Sequence, residues 1–94
     1  IDTIITSTIK QPADLNTVKL YPNPVAKNGI AIIESSQIIN KIEFIDLIGR
    51  VLFAEAQINS KTYAMSHLNV PTGIYYARVY QQDNKIQIVK VVIE

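Results

Sequence analysis

A nucleophilic relay of the Ser-His-Asp kind could be drawn from His67, the only histidine, with Ser66 or Ser35 and Asp46. Such relays are defined by geometry, and no spacing in this chain fixes one. His67 therefore reads as an ordinary surface or half-buried residue beside a turn. A zinc site needs three or four converging nitrogen or sulfur ligands, which one histidine and no cysteine do not supply. Asp2, Asp14, Asp46 and Asp83 are too dispersed to form a local calcium loop. Gly29, Gly49 and Gly73 stand in turns and make no phosphate-cradling pattern. Tyr75, Tyr76 and Tyr80 lie close together but divide between two faces, as core and sheet surface would require. The expectation is a chain without catalysis, cofactor or metal.

The bulk numbers agree with a small binding or structural unit. Ninety-four residues suffice for one core but not two. Net charge is +1, with nine basic and eight acidic residues spread along the chain. Nucleic-acid and membrane-surface partners need clustered cationic charge, so neither is expected. No apolar run approaches the ~20 residues that span a bilayer. The chain starts at Ile1 and shows no signal peptide, so it reads as a piece of a longer protein.

The organising stretch is Pro71 to Tyr80, PTGIYYARVY. Proline and glycine make a turn, and the β-branched and aromatic residues after it favour a strand. Alternation places Tyr75, Ala77 and Val79 toward a core, and Ile74, Tyr76, Arg78 and Tyr80 outward. Every other strand is expected to pack around this one. Residues 1–16 read as a linker or processing region, with Ile4–Lys10 as a possible edge strand. Thr17–Tyr21 directs Val18 and Leu20 inward and Lys19 and Tyr21 outward. Pro22 and Pro24 lack an N–H, so Tyr21-Pro22-Asn23-Pro24 should be a rigid connection at a sheet edge. Asn28-Gly29 signals a turn before a strand at Ile30–Glu34. Lys41–Ile48 follows, with Ile42 and Phe44 inward and Lys41 and Glu43 outward. A hairpin comes next, in which Asp46 bonds the turn backbone and Gly49 takes the left-handed position. Val51–Gln57, Lys61–Met65 and Ile86–Ile93 complete the set, with Gln82-Asp83-Asn84 as the last turn. The result is an all-β fold, a seven-stranded antiparallel sandwich.

Four segments in order resemble a known family. Leu20-Tyr21-Pro22-Asn23-Pro24, Ile45-Asp46-Leu47-Ile48-Gly49-Arg50, Gly73-Ile74-Tyr75-Tyr76-Ala77-Arg78-Val79 and Ile88-Val89-Lys90 are similar to the signatures of the type A C-terminal sorting domain of type IX secretion cargo. The likeness covers about residues 18–94. Gln87 replaces a usual lysine, and Ile45 stands where an aromatic is common. The resemblance implies an immunoglobulin-like sandwich at the end of secreted or surface proteins of Gram-negative bacteria. It also implies that an outer-membrane translocon recognises the domain after periplasmic transit. A sortase-like peptidase would then cut near the boundary with the N-terminal cargo domain, within residues 1–16. The cargo would be released or joined to anionic lipopolysaccharide.

Edge pairing is the physical means by which a folded domain can be read through its last strand. Gly73, Tyr75, Ile88, Val89 and Lys90 are the expected recognition residues. Tyr21, Pro22, Asn23, Pro24, Asp46, Gly49 and Arg50 are the expected structural ones. Two other functions fit the residues. Outward Tyr21, Tyr76 and Tyr80 would serve a surface adhesion or carbohydrate-binding module if they adjoin. A last strand apolar on both faces would support a weak homodimer through edge strands.

Overall fold

Fifteen consecutive residues, Ala31–Ile45, form one strand that runs through a Ser-Ser-Gln segment resembling a turn. The computed structural model describes residues 16–66 and 69–94. Within them the strands are β1 (Val18–Tyr21), β2 (Ala31–Ile45), β3 (Val51–Met65), β4 (Gly73–Gln81) and β5 (Lys85–Ile93), with a short 3₁₀ turn at Gln82–Asn84. All pairings between them are antiparallel, and they make a single sheet.

The all-β class and the antiparallel pairing are as expected; the seven-stranded immunoglobulin-like β-sandwich is corrected to a curled sheet of five strands among the described residues. The seven expected segments occupy nearly the right places, but two of the breaks between them are bulges and not reversals. Ile30–Glu34 and Lys41–Ile48 fuse into β2, and Val51–Gln57 and Lys61–Met65 fuse into β3. The reason lies in side-chain capping of the backbone. Ser35 Oγ donates to the Gln37 carbonyl at 2.6 Å and accepts from the Gln37 N–H at 3.1 Å. Opposite Asn40, Gln57 and Asn59 adopt left-handed φ values of 57° and 53°. Polar residues with turn chemistry thus bend the hairpin without ending it.

The register shift between Ile39 and Lys41, seen against both neighbouring strands, changes the parity of the alternation. Ala31, Ile33 and Ile39 are buried before the shift, and Ile42 and Phe44 after it. One added residue flips every side chain beyond it to the other face. Both halves of β2 thereby face one core as the sheet curls. Leu20, Val25, Ile33 and Met65 join Phe44, Tyr75, Ala77, Val79, Val91 and Ile93 in a single cluster. The Phe44 and Tyr75 rings stack with centroids 5.1 Å apart.

The Gly73–Gln81 strand has the expected faces, with Tyr75, Ala77 and Val79 buried. It is not the hub, however. The organising strand is β2, which pairs with β1, β3 and β4. The possible edge strand at Ile4–Lys10 and His67 lie outside the described residues.

Phe44 is 1% exposed, whereas Ile88 is 61% exposed. Phe44→Ala should lower unfolding free energy by about 3–5 kcal/mol. Ile88→Ala should change it by less than about 0.5 kcal/mol. Urea titration of the two variants checks the assignment of faces.

Candidate functional site

The Pro-Asn-Pro segment is bonded to the end of β5. Both X-Pro bonds, Tyr21–Pro22 and Asn23–Pro24, are cis. Between them the Asn23 side chain behaves as a short strand partner. Its Nδ2 donates to the Lys90 carbonyl at 2.9 Å, and its Oδ1 accepts from the Val92 N–H at 3.0 Å. The backbone then takes over: Val25 N–H donates to Val92 O at 2.7 Å and Glu94 N–H to Val25 O at 2.9 Å. Lys27 N–H donates to Glu94 O at 3.0 Å. Val25 itself is fully buried and forms a parallel bridge with Ile93. The expected connection at a sheet edge is present, and the edge it occupies is that of the last strand. Tyr21, outward as expected, donates its hydroxyl to Glu34 Oε2 at 2.8 Å.

The hairpin between β2 and β3 is held by Asp46. Asp46 Oδ1 accepts the Ile48 and Arg50 N–H groups at 3.0 and 2.9 Å, and Oδ2 accepts Arg50 Nε at 2.7 Å. Gly49 has φ +96°, the left-handed position the turn requires. Burial pushes the Asp46 carboxyl upward, but the Arg50 and Ile48 amides and the Arg50 guanidinium outweigh it and hold it below the usual range. The turn leaves Leu47 and Ile48 exposed at its tip.

The expected recognition residues separate onto two faces. Gly73 opens β4 at φ +158°, close to extended, with the nearest heavy atom to an added Cβ on Tyr75 at 3.9 Å. Tyr75 is buried and donates its hydroxyl to the Pro71 carbonyl, so it belongs to the core and the preceding turn. Val89 lies opposite Ala77 and packs against the core. Ile88 and Lys90 lie opposite Arg78 and Tyr76 on the outward face, where both are exposed. The structure thus joins Ile88 and Lys90 on one surface and assigns Tyr75 and Val89 to the other.

A polar cluster on that outward face went unread in the sequence. Glu43 is buried although it points away from the core. Its Oε1 accepts from Tyr80 Oη at 2.6 Å and Arg78 Nη1 at 2.8 Å, and Lys41 Nζ lies 3.3 Å from Oε2. The Tyr80 hydroxyl bond lowers the Glu43 carboxyl below its ordinary range; burial opposes this, and Lys41 and Arg78 reinforce it. Lys41 also sits 5.2 Å from the Tyr80 ring centroid. The signal was present as opposite charges on facing strands, since Glu43 and Arg78 are register partners. Tyr21 lies opposite Ile32, whereas Tyr80 and Tyr76 lie opposite Lys41 and Ile45 much farther along β2, so Tyr21 does not adjoin the other two. Among the described residues no group of three or more His, Asp or Glu side chains converges as metal ligands would.

The sequence profile described as the secretion system C-terminal sorting domain matches residues 19–94. Among solved structures the chain is similar to PorZ, an essential bacterial surface component of the type-IX secretion system of Porphyromonas gingivalis, with a TM-score of 0.65 and 20% identity. That alignment covers 82% of this chain and 11% of the PorZ chain. CopC from Methylosinus trichosporium OB3b is similar with a TM-score of 0.50 and 14% identity, over 83% of this chain and 94% of that one. At these identities both likenesses are of fold. No curated protein matches the chain.

Two outcomes follow from the site. Because the Glu43 and Asp46 carboxyls are lowered in the folded state, their contribution to stability is fully present above the unfolded-state values, near pH 4. It is lost as pH falls from there through the lowered native values. Thermal unfolding between pH 7 and 2 should show this loss, and Glu43→Gln should reduce its steepness. Gly49→Ala, forced to a positive φ, should cost about 1 kcal/mol or more in urea titration.

Proposed function

The chain belongs to the secretion system C-terminal sorting domain family, and from that membership we propose that it is a non-catalytic address label for type IX secretion. It directs an attached N-terminal cargo domain across the outer membrane to the cell surface or exterior. The single observation carrying this reading is the family match over residues 19–94, which takes in all four signature segments. The fold likeness to PorZ, a surface component of that secretion system, supports it.

The terminal strand β5 is the surface by which a translocon reads the label. Ile88 and Lys90 project outward from it beside Arg78 and Tyr76. Main-chain pairing along an exposed edge gives affinity, and alternate side chains give selectivity. Gly73, Tyr75 and Val89 support this surface by holding β4 and β5 in register over the core. A sortase-like peptidase cuts within residues 1–16, ahead of the matched family segment. The product is released or joined to lipopolysaccharide.

The test is transport of a fluorescent reporter carrying a signal peptide and followed by residues 1–94, in a type IX-competent strain and in one lacking the translocon. Reporter at the surface or in the medium, shortened by about the mass of the domain and dependent on the translocon, is the expected result. Uncut reporter retained in the periplasm of both strains, with the domain folded, overturns the reading. Lys90→Ala should leave urea stability within about 0.5 kcal/mol and reduce the exported fraction. Loss of folding in that variant would remove Lys90 from the recognition surface.

A further inference from the structure

The edge of β5 is divided into a closed stretch and an open one, and the divider is a side chain. In β5 the main-chain groups alternate between the β4 side and the free edge. The Lys90 carbonyl, both main-chain groups of Val92 and the Glu94 N–H point to the free edge, because they bond Asn23, Val25 and Lys27. The pairing of β4 with β5 runs from Gly73↔Ile93 to Gln81↔Lys85 without a register shift. By the same parity, the N–H and C=O groups of Ile86 and Ile88, and the Lys90 N–H, face that edge too. Among the described residues no hydrogen bond reaches them from that edge. Asn23 sits at the boundary and presents one acceptor and one donor, as a strand residue would.

We propose that Asn23 is a positioning residue that begins the closure of the Lys90–Glu94 edge, which Val25 and Lys27 continue, and so confines any main-chain partner to Ile86–Lys90. The partner this geometry fits is an extended peptide segment that adds to β5 at that stretch. Such a segment would meet the outward apolar side chains of Ile86 and Ile88 and the Lys90 ammonium. Pro22 and Pro24 complete the arrangement: without an N–H of their own they cannot extend the ladder outward, so the clip ends the sheet where it binds. A partner reading beyond Lys90 would have to displace the clip, whereas one reading Ile86–Lys90 would not. The biological use of this division rests on the sorting reading; the division itself does not.

Amide hydrogen exchange on the purified 94-residue chain, resolved by residue, tests it without any secretion. In the native sequence the Val92 N–H should exchange far more slowly than the Ile88 N–H. In Asn23→Ala the Val92 N–H should exchange about tenfold faster, the scale of one lost hydrogen bond, while buried Val79 keeps its protection. Asn23→Asp keeps the acceptor and loses the donor, so it should retain most of the Val92 protection; it also serves if Asn23→Ala does not fold. A synthetic peptide of residues 85–94 then probes pairing. It should shift the Ile86, Ile88 and Lys90 amides in the native chain, and that of Val92 as well in Asn23→Ala, whose side chain no longer holds the Val92 N–H. Val92 exchange unchanged by Asn23→Ala, or peptide-induced shifts at Val92 as large as at Ile88 in the native chain, would overturn the proposal. Transport failing while these exchange differences hold would count against the sorting reading alone.

Discussion

One residue too many in β2 governs the architecture. Without the register shifts near Ile39, a fifteen-residue strand would send its second half of apolar side chains into solvent. With them, Ile33 and Phe44 bury in the same cluster although they lie at opposite parities. The bend needs its own polar support, and Ser35 provides it. Its Oγ serves the Gln37 backbone and accepts from buried Gln81 Nε2 at 2.8 Å. Gln81 in turn donates to Asn16 Oδ1 at 2.9 Å. The place where the sheet curls is therefore also where the described chain enters it.

From that constraint the roles of the signature segments separate. The Asp46 turn closes the bent hairpin, the Gly73 strand lies along its second half, and the Pro-Asn-Pro segment returns to the last strand. Each segment solves a backbone problem: a left-handed turn, a core register, an open edge. What remains for recognition is the outward face of β4 and β5 and the uncovered part of the β5 edge. Its charge pairs are internal to the sheet, as Glu43 engages Arg78, Tyr80 and Lys41. Ile88 and Lys90 are exposed there, together with Ile74 and Ile86.

Much of this was legible in the residues. Alternation placed Tyr75, Ala77, Val79, Ile42 and Phe44 in the core, and Asp46 with Gly49 announced the hairpin. Two things were not legible. Ser35-Ser36-Gln37 and Gln57 to Ser60 have the composition of turns, and a bulge uses the same residue types, because both satisfy backbone groups through short polar side chains. Only the partner strand decides which one forms. Likewise Asn23 reads as a turn residue between prolines; its bonds to Lys90 and Val92 span 67 and 69 residues of sequence, and no local pattern encodes them. The recognition set mixed Val89 with Ile88 for a related reason: neighbours in a strand point opposite ways.

The bridge between Val25 and Ile93 is parallel, in a sheet otherwise antiparallel. Its direction has a mechanical meaning. If the chain were drawn backward at Asn16 and forward at Glu94, the two bridged segments would slide past each other. The bonds of Asn23, Val25 and Lys27 to the last strand would then bear the load together, in shear, and not peel one after another. Tension between Asn16 and the last strand would load this short parallel contact in shear. The same contact would yield readily to a pull that lifts Glu94 away sideways.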